Sequence, residues 1–262
     1  MKKINPEINK HIWGTSLDYF DNTLDNGIIH RSLFGVKKIC ATDNLSIQLH
    51  PTNTDVQKEK HEIWYIRRAL KGAQIIAGYN KEVARADILS GLKHGSIINL
   101  LNCYKAIQGD WYYIAPGTVH AIQAGCTVWE IQNSIENTYR LHDFGRGREL
   151  NIMGAMDTMI YSPSSCKITP NLQIENDGET IKKVVSCQMF DIREISYHGR
   201  LNLSQLKSNT LLIQVDGESH INQYIVSEDD VFLIDQDSYL SVEGCGTIIL
   251  VSFNVGSSSG LL

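Results

Sequence analysis

From Leu45 to His142 the chain runs as short segments rich in Val, Ile, Leu and aromatic residues, each closed by a turn before the next begins. Segments so short and so closely punctuated predict strands, and strands in such a series close on one another as a small barrel or a two-sheet jelly roll. Leu45-Ser46-Ile47-Gln48-Leu49-His50 alternates apolar and polar residues until Pro51 stops it. Glu62 to Ile66 and Ala73 to Tyr79 follow, with Lys71-Gly72 as a hairpin turn between them. Trp111 to Ile114 and Thr118 to Ile122 flank the turn at Pro116-Gly117, and Cys126 to Gln132 and Thr138 to His142 complete the series.

Helices are subordinate in this pattern. Lys81 to Leu92 places Val83, Ala84, Ile88 and Leu92 at helical spacing, and Glu149 to Ile160 reads as a helical connector ahead of the linker Pro163-Ser164-Ser165. A second β-rich half follows, with strands expected at Leu211 to Val215, Val231 to Ile234 and Thr247 to Phe253. The expected division is a catalytic barrel over residues 1–160 and a structural barrel over 161–262. His198 and His220 are the only histidines of the second half, and neither has a His or Glu partner at strand spacing. The Ser/Gly stretch Gly256 to Gly260 reads as a flexible tail.

Composition narrows the function. With 42% hydrophobic and 20% charged residues, the 262-residue chain has the profile of a soluble protein that folds without staples. Its formal net charge of -5, with no block of Lys and Arg, excludes nucleic acid as the main partner. No apolar run approaches the roughly 18 residues a membrane-spanning helix needs, and no apolar stretch follows the basic N-terminus to make a signal peptide. The six cysteines are scattered without a C-x-x-C pair, as expected of free thiols in a cytoplasmic protein.

The chemistry gathers on the strands of the first half. Gln48 and His50 lie two apart, so they project from one face of their strand. Glu62 shares a face of the next strand with Trp64 and Ile66, turning His61 outward, and His120 follows the Pro116-Gly117 turn. Two imidazoles, one carboxylate and one amide oxygen make a mixed nitrogen and oxygen shell suited to a catalytic zinc or a similar divalent ion. Burying four such groups without a metal or an extensive network would be costly.

The segments LSIQLHP (45–51), KHEIWYI (60–66), GDWYYIAPGTVHAI (109–122), EIQNSIENTYRLHDFGR (130–146) and RELNIMGAMD (148–157) occur in an order that resembles the type I mannose-6-phosphate isomerases. That resemblance implies an all-β cupin fold with one zinc ion per chain, held by Gln48, His50, Glu62 and His120. Arg140 matches an arginine essential for catalysis, Lys60 an active-site lysine, and Ser46 a serine of the substrate pocket. Glu130 is a further polar candidate near the site. Arg146 and Arg148 read as a solvated turn, and no role is assigned to His142. Only 44 residues precede LSIQLHP, so a strand-rich N-terminal portion typical of relatives is expected to be reduced.

The reaction implied is interconversion of mannose 6-phosphate and fructose 6-phosphate through a metal-stabilised cis-enediol. Arg140 and Lys60 would contact the sugar phosphate, and the general base is Lys60 or Glu130, with the sequence leaving both open. Two other readings keep the ligands: a metal-dependent isomerase of a different sugar or sugar phosphate, and a non-catalytic sugar-phosphate-binding cupin.

Overall fold

The computed structural model describes residues 1–25, 28–54, 58–133, 135, 137–176, 179–187, 189–204, 206, 210–235 and 238–253, without the side chains of 21–33 and 174–178. The tail at 256–260 and part of the 51–59 loop lie outside the described residues. The expected all-β architecture is what the chain adopts. Its strands are β1 (Lys2–Ile4), β2 (Glu7–His11), β3 (Gly14–Asp25), β4 (Ile28–Ala41), β5 (Ile47–Leu49), β6 (Glu62–Ala69), β7 (Gln74–Tyr79), β8 (Leu101–Lys105), β9 (Trp111–Ile114), β10 (His120–Ile122), β11 (Cys126–Asn133), β12 (Tyr139–His142) and β13 (Lys167–Ile168). They continue as β14 (Asn171–Asn176), β15 (Glu179–Ser186), β16 (Phe190–Leu203), β17 (Thr210–Ile221), β18 (Tyr224–Val226), β19 (Val231–Ile234) and β20 (Leu240–Phe253). Two helices, α1 (Arg85–Lys93) and α2 (Ile152–Thr158), are the helices expected from the sequence, both shorter at their N-terminal ends. No helix among the described residues is long and apolar enough to cross a membrane.

The chain divides into two compact units, Pro6–Ile168 on the one hand and Met1–Asn5 with Thr169–Leu262 on the other. The division therefore falls after 168 rather than after 160, and the first five residues leave the first unit. Pairing explains both shifts. β13 bonds to β9, which keeps Lys167 and Ile168 in the first unit, and β1 bonds to β19, which carries the N-terminus into the second.

The first unit is a pair of antiparallel sheets. One has seven strands in the order β13-β9-β6-β11-β4-β3-β2, and the other has five in the order β12-β5-β10-β7-β8. Alternation along each strand decides what lies between them. Ile75 and Ala77 of β7 and Ile122 of β10 meet Trp64 and Ile66 of β6, Tyr112 and Ile114 of β9, and Val128 of β11 in one buried cluster. The intervening residues of the five-stranded sheet, Ile47, Leu49, Ile76 and Ala121, turn the other way and pack on Val83 and Ile88 with Ala155 and Met156. Both helices thus cover the outside of the smaller sheet and leave its inner face to the site. The N-terminal portion supplies β2, β3 and β4, which extend the larger sheet by three strands.

The second unit is one eight-stranded sheet, with β16, β17 and β20 pairing over most of their length. Its buried polar centre is satisfied internally. Gln214 Nε2 donates to Tyr197 Oη (3.1 Å) and to the Asp216 carbonyl (2.7 Å), and Ser219 Oγ donates to Gln214 Oε1 (3.0 Å). His198 and His220 are exposed.

The turn ahead of His120 ties the sheet to the site. Gly117 has a φ of 78°, and its N–H donates to the His50 carbonyl at 2.6 Å. A Cβ there would lie 2.9 Å from the Thr158 carbonyl oxygen. Gly117→Ala is expected to lower the unfolding free energy by about 1–3 kcal/mol, measurable as a reduced urea midpoint with an unchanged slope.

Candidate metal centre and active site

Ser46, Gln48 and His50 share the inner face of the five-stranded sheet, each two residues from the next. The register places Gln48 opposite His120 of β10 on one side and opposite Arg140 of β12 on the other. Arg140, Gln48 and His120 therefore form one row across that sheet. The facing sheet supplies a second set. Glu62 of β6 pairs with Gln132 of β11, and Trp64 pairs with Glu130. All these positions are close to fully buried apart from Gln48 and Arg140, which are partly exposed.

His50, Glu62 and His120 come together, with one donor atom of each within 4.8 Å of the others. Among the described residues no other group of three His, Cys, Asp or Glu side chains is so placed. His50 Nδ1 lies 2.9 Å from the Asn137 carbonyl oxygen and His120 Nδ1 lies 2.8 Å from that of Thr118. A carbonyl only accepts, so each Nδ1 must carry a proton and donate it. In the neutral ring each Nε2 is then a bare lone pair. His50 Nε2 lies 2.9 Å and His120 Nε2 3.9 Å from the Glu62 carboxylate. Both Nε2 atoms and Glu62 Oε2 are buried without a hydrogen-bond partner. Lone pairs directed at a carboxylate repel unless a cation stands among them, so these residues fit a divalent metal.

Charge is distributed to the same end. Burial, with His50 close by, pulls the His120 imidazole down to about 4 against the opposing pull of Glu62, which keeps the ring neutral and able to ligate. Burial raises the Glu62 carboxyl, but the Lys60 ammonium leads the groups that oppose it, and the carboxyl is held well below the usual carboxylate range. Lys60 Nζ lies 2.8 Å from Glu62 Oε1. Glu130 goes the other way, since burial and the charge of Glu62 push its carboxyl up. Trp64 Nε1 donates to Glu130 Oε2 at 3.2 Å, and the Trp64 ring meets His120 edge-on at a centroid distance of 5.5 Å.

Ser46 Oγ donates to Gln48 Oε1 at 3.1 Å, which aligns the amide oxygen in its row. Arg140 is tethered rather than free: Nη1 donates to the Glu149 carbonyl at 2.8 Å, and its Nε is buried without a partner. His61 turns to the face opposite Glu62, with Nδ1 2.7 Å from Tyr113 Oη. His142 meets Phe144 edge-on at 4.9 Å.

Arg146 and Arg148 correct the reading of a solvated turn. Arg146 Nη2 and Arg148 Nε donate to the buried Asp143 at 3.0 and 2.9 Å, and Arg146 Nη1 reaches the Asn44 carbonyl at 2.6 Å. This clasp closes the loop behind Arg140 onto the segment that enters β5. Neither Asp143 nor the carbonyls of Thr118 and Asn137 were singled out from the sequence. Spacing carries no signal for a backbone acceptor, and an Asp between two arginines has the look of a surface turn. A cavity of about 680 Å³ opens around the far ends of β6 and β11, lined by Cys40, Arg68, Leu70, Lys105 and Ile107 among others, and includes none of the residues above.

The arrangement defines a class: a β-sheet protein with a candidate metal site of two histidines and one carboxylate in its first unit, flanked by a lysine, an arginine and a second carboxylate whose affinity for a proton burial raises. Comparison with known proteins gives the kinship. No protein-family profile matches the chain. It is 29% identical over 215 residues to mannose-6-phosphate isomerase ManA of Bacillus subtilis, an alignment covering 73% of this chain and 67% of that protein. It is 27% identical over 230 residues to mannose-6-phosphate isomerase of Streptococcus mutans, covering 78% and 72%. The crystal structure of the Bacillus subtilis mannose 6-phosphate isomerase superposes with a TM-score of 0.82 at 20% identity, over 96% of this chain and 99% of that one. The apo Salmonella typhimurium enzyme superposes with a TM-score of 0.71 at 12% identity, over 97% and 99%. The chain is related in sequence and in fold to the mannose-6-phosphate isomerases, as the order of its segments suggested.

Two outcomes test the geometry. His120→Ala is expected to weaken zinc binding by more than the roughly 10–100-fold that loss of an outer partner costs, read by calorimetry on chelator-stripped protein. The Asp143 clasp should show in acid. Hydrogen bonding to Arg148 holds the Asp143 carboxyl at about 2, with burial opposing and the charges of Arg148 and Arg146 assisting. A depressed carboxylate stabilises the fold above its unfolded value of about 4 and loses that contribution as pH falls toward its folded value. Denaturation midpoints should therefore drop between about pH 4 and pH 2 in the parent protein, and this part of the drop should vanish in Asp143→Asn.

Proposed function

We propose that this chain is a zinc-dependent aldose-ketose isomerase that interconverts mannose 6-phosphate and fructose 6-phosphate, with one zinc ion per chain. The observation that carries the reading is the convergence of the His50 and His120 Nε2 lone pairs on the Glu62 carboxylate, in a chain whose sequence relatives bear that enzyme's name. One neighbour in fold is a mannose 6-phosphate isomerase bound with zinc and yttrium, at a TM-score of 0.70 and 11% identity. His50, Glu62 and His120 would hold the ion, and Gln48, opposite His120, would add its amide oxygen. Bound there, zinc would act as a Lewis acid toward the sugar oxygens.

The remaining residues divide the work of moving a proton between C2 and C1. An aldose and its ketose differ by that proton, so the base must serve both carbons from one side through a cis-enediol. Glu130 is the base in this reading: it is buried, accepts a hydrogen bond from Trp64, and burial with the charge of Glu62 raises its affinity for a proton. Lys60 is held against Glu62 at 2.8 Å and contributes fixed positive charge where the enediol carries negative charge. Arg140, in the row with Gln48 and His120, adds a second cation, placed to meet the enediol oxygen or the phosphate. Ser46 orders Gln48 and borders the substrate. The second unit, with its polar centre already satisfied, serves a structural role. All six cysteines are free thiols, in keeping with a cytoplasmic enzyme.

A coupled assay of mannose 6-phosphate turnover, on protein stripped with chelator and then restored with zinc, tests the reading. Activity should disappear with the metal and return with it. Glu130→Gln should cost about 100-fold or more in kcat with the metal content unchanged. Full metal occupancy without turnover would contradict the assignment.

A further inference from the structure

One buried polar group beside the site has no use in the scheme above. Gln132 lies opposite Glu62 in the β6–β11 register, so both side chains stand on the inner face. It is 3% exposed, and its Oε1 has no hydrogen-bond partner. Buried carboxamides are almost always paired, and the unpartnered atoms of the three candidate metal ligands are accounted for. The Nε2 atoms of His50 and His120 and the Oε2 of Glu62 are directed at one another, as a metal requires. Gln48 supplies an amide oxygen from the facing sheet, already aligned by Ser46. Gln132 has no such alignment. On its other side stands Gly35, where a Cβ would lie 2.2 Å from Phe20 Cδ1, so the Phe20 ring occupies the space a side chain would take. The amide is thus set between a carboxylate and an aromatic ring.

The chemistry of the missing partner follows from what the amide offers, one acceptor and two donors on a rigid plane. A cation would use only the oxygen. A phosphate would use only the NH₂ and would be repelled by Glu62 next to it. A sugar hydroxyl both donates and accepts, so it satisfies both ends of the amide. We propose that Gln132 is a substrate-binding residue that hydrogen-bonds one hydroxyl of the sugar chain, and that it makes the enzyme discriminate against a sugar lacking that hydroxyl. This rests on the isomerase reading above.

The test is a functional-group cycle on the zinc-loaded protein. The parent and Gln132→Met, which keeps the side-chain length and removes both hydrogen-bonding functions, are compared on mannose 6-phosphate and its monodeoxy analogues, by turnover and by calorimetric binding. The variant should retain its zinc and lose about 10–100-fold in kcat/KM on mannose 6-phosphate, with KM rising more than kcat falls. With one analogue, the variant and the parent should agree within about twofold, because the partner hydroxyl is then already absent. A variant within about twofold of the parent on mannose 6-phosphate overturns the proposal. So does one that loses zinc and recovers full activity at excess zinc, since Gln132 would then serve the metal. Should the methionine variant not fold, Gln132→Asn, which withdraws the amide by one methylene, takes its place. A parent protein that binds the sugar phosphate without converting it contradicts the isomerase reading alone, and the binding cycle still judges Gln132.

Discussion

The site depends on two hydrogen bonds that involve no functional group of the reaction. Thr118 and Asn137 present their carbonyl oxygens to the Nδ1 atoms of His120 and His50, and that fixes the tautomer of both rings. The consequence is a pair of bare nitrogens facing a buried carboxylate, which is unfavourable by itself and favourable around a cation. Three features of the first unit keep that arrangement. The period-two alternation sends Ser46, Gln48 and His50 inward and Ile47 and Leu49 outward onto the helices. The Gly117 turn, bonded to the His50 carbonyl, brings β5 and β10 into register. The larger sheet then delivers Glu62 from the opposite side.

Two glutamates with the same chemistry have been given different environments. Glu62 is surrounded by Lys60 and the two histidines and stays ionised despite complete burial. Glu130 lies two residues along and one strand over, receives a hydrogen bond from Trp64, and has the negative charge of Glu62 as its neighbour. One is thereby suited to hold a metal and the other to hold a proton. The Asp143 clasp does comparable work for Arg140. By drawing Arg146 and Arg148 onto a single carboxylate, it shapes the loop that returns to tether Arg140 at the Glu149 carbonyl.

Much of this was legible in the sequence because strands write their orientation in a period of two. The inward placement of Gln48, His50 and Glu62, the turn at Gly117 and the outward turn of His61 all follow from counting. What counting missed has physical reasons. β3 and β4 carry polar residues at positions that face inward, Asp18 and Lys37 among them, which pair across the sheet at 3.8 Å. Their alternation is therefore blurred, and the strands were not anticipated. The transfer of Met1–Asn5 to the second unit depends on β1 pairing with β19, more than 200 residues away, and no local pattern announces such a partner. Trp64 reads as core in any hydrophobic count, and its role in orienting Glu130 appears only once β6 and β11 are aligned.

The most direct test of the account is diffraction from zinc-loaded crystals at the zinc absorption edge, which locates the ion without reference to activity. The account predicts one anomalous peak per chain about 2.0–2.2 Å from the Nε2 atoms of His50 and His120 and from the Glu62 carboxylate, with both Nδ1 atoms still bonded to their carbonyls. A peak elsewhere, or no peak while Glu62 remains paired to Lys60, would contradict it.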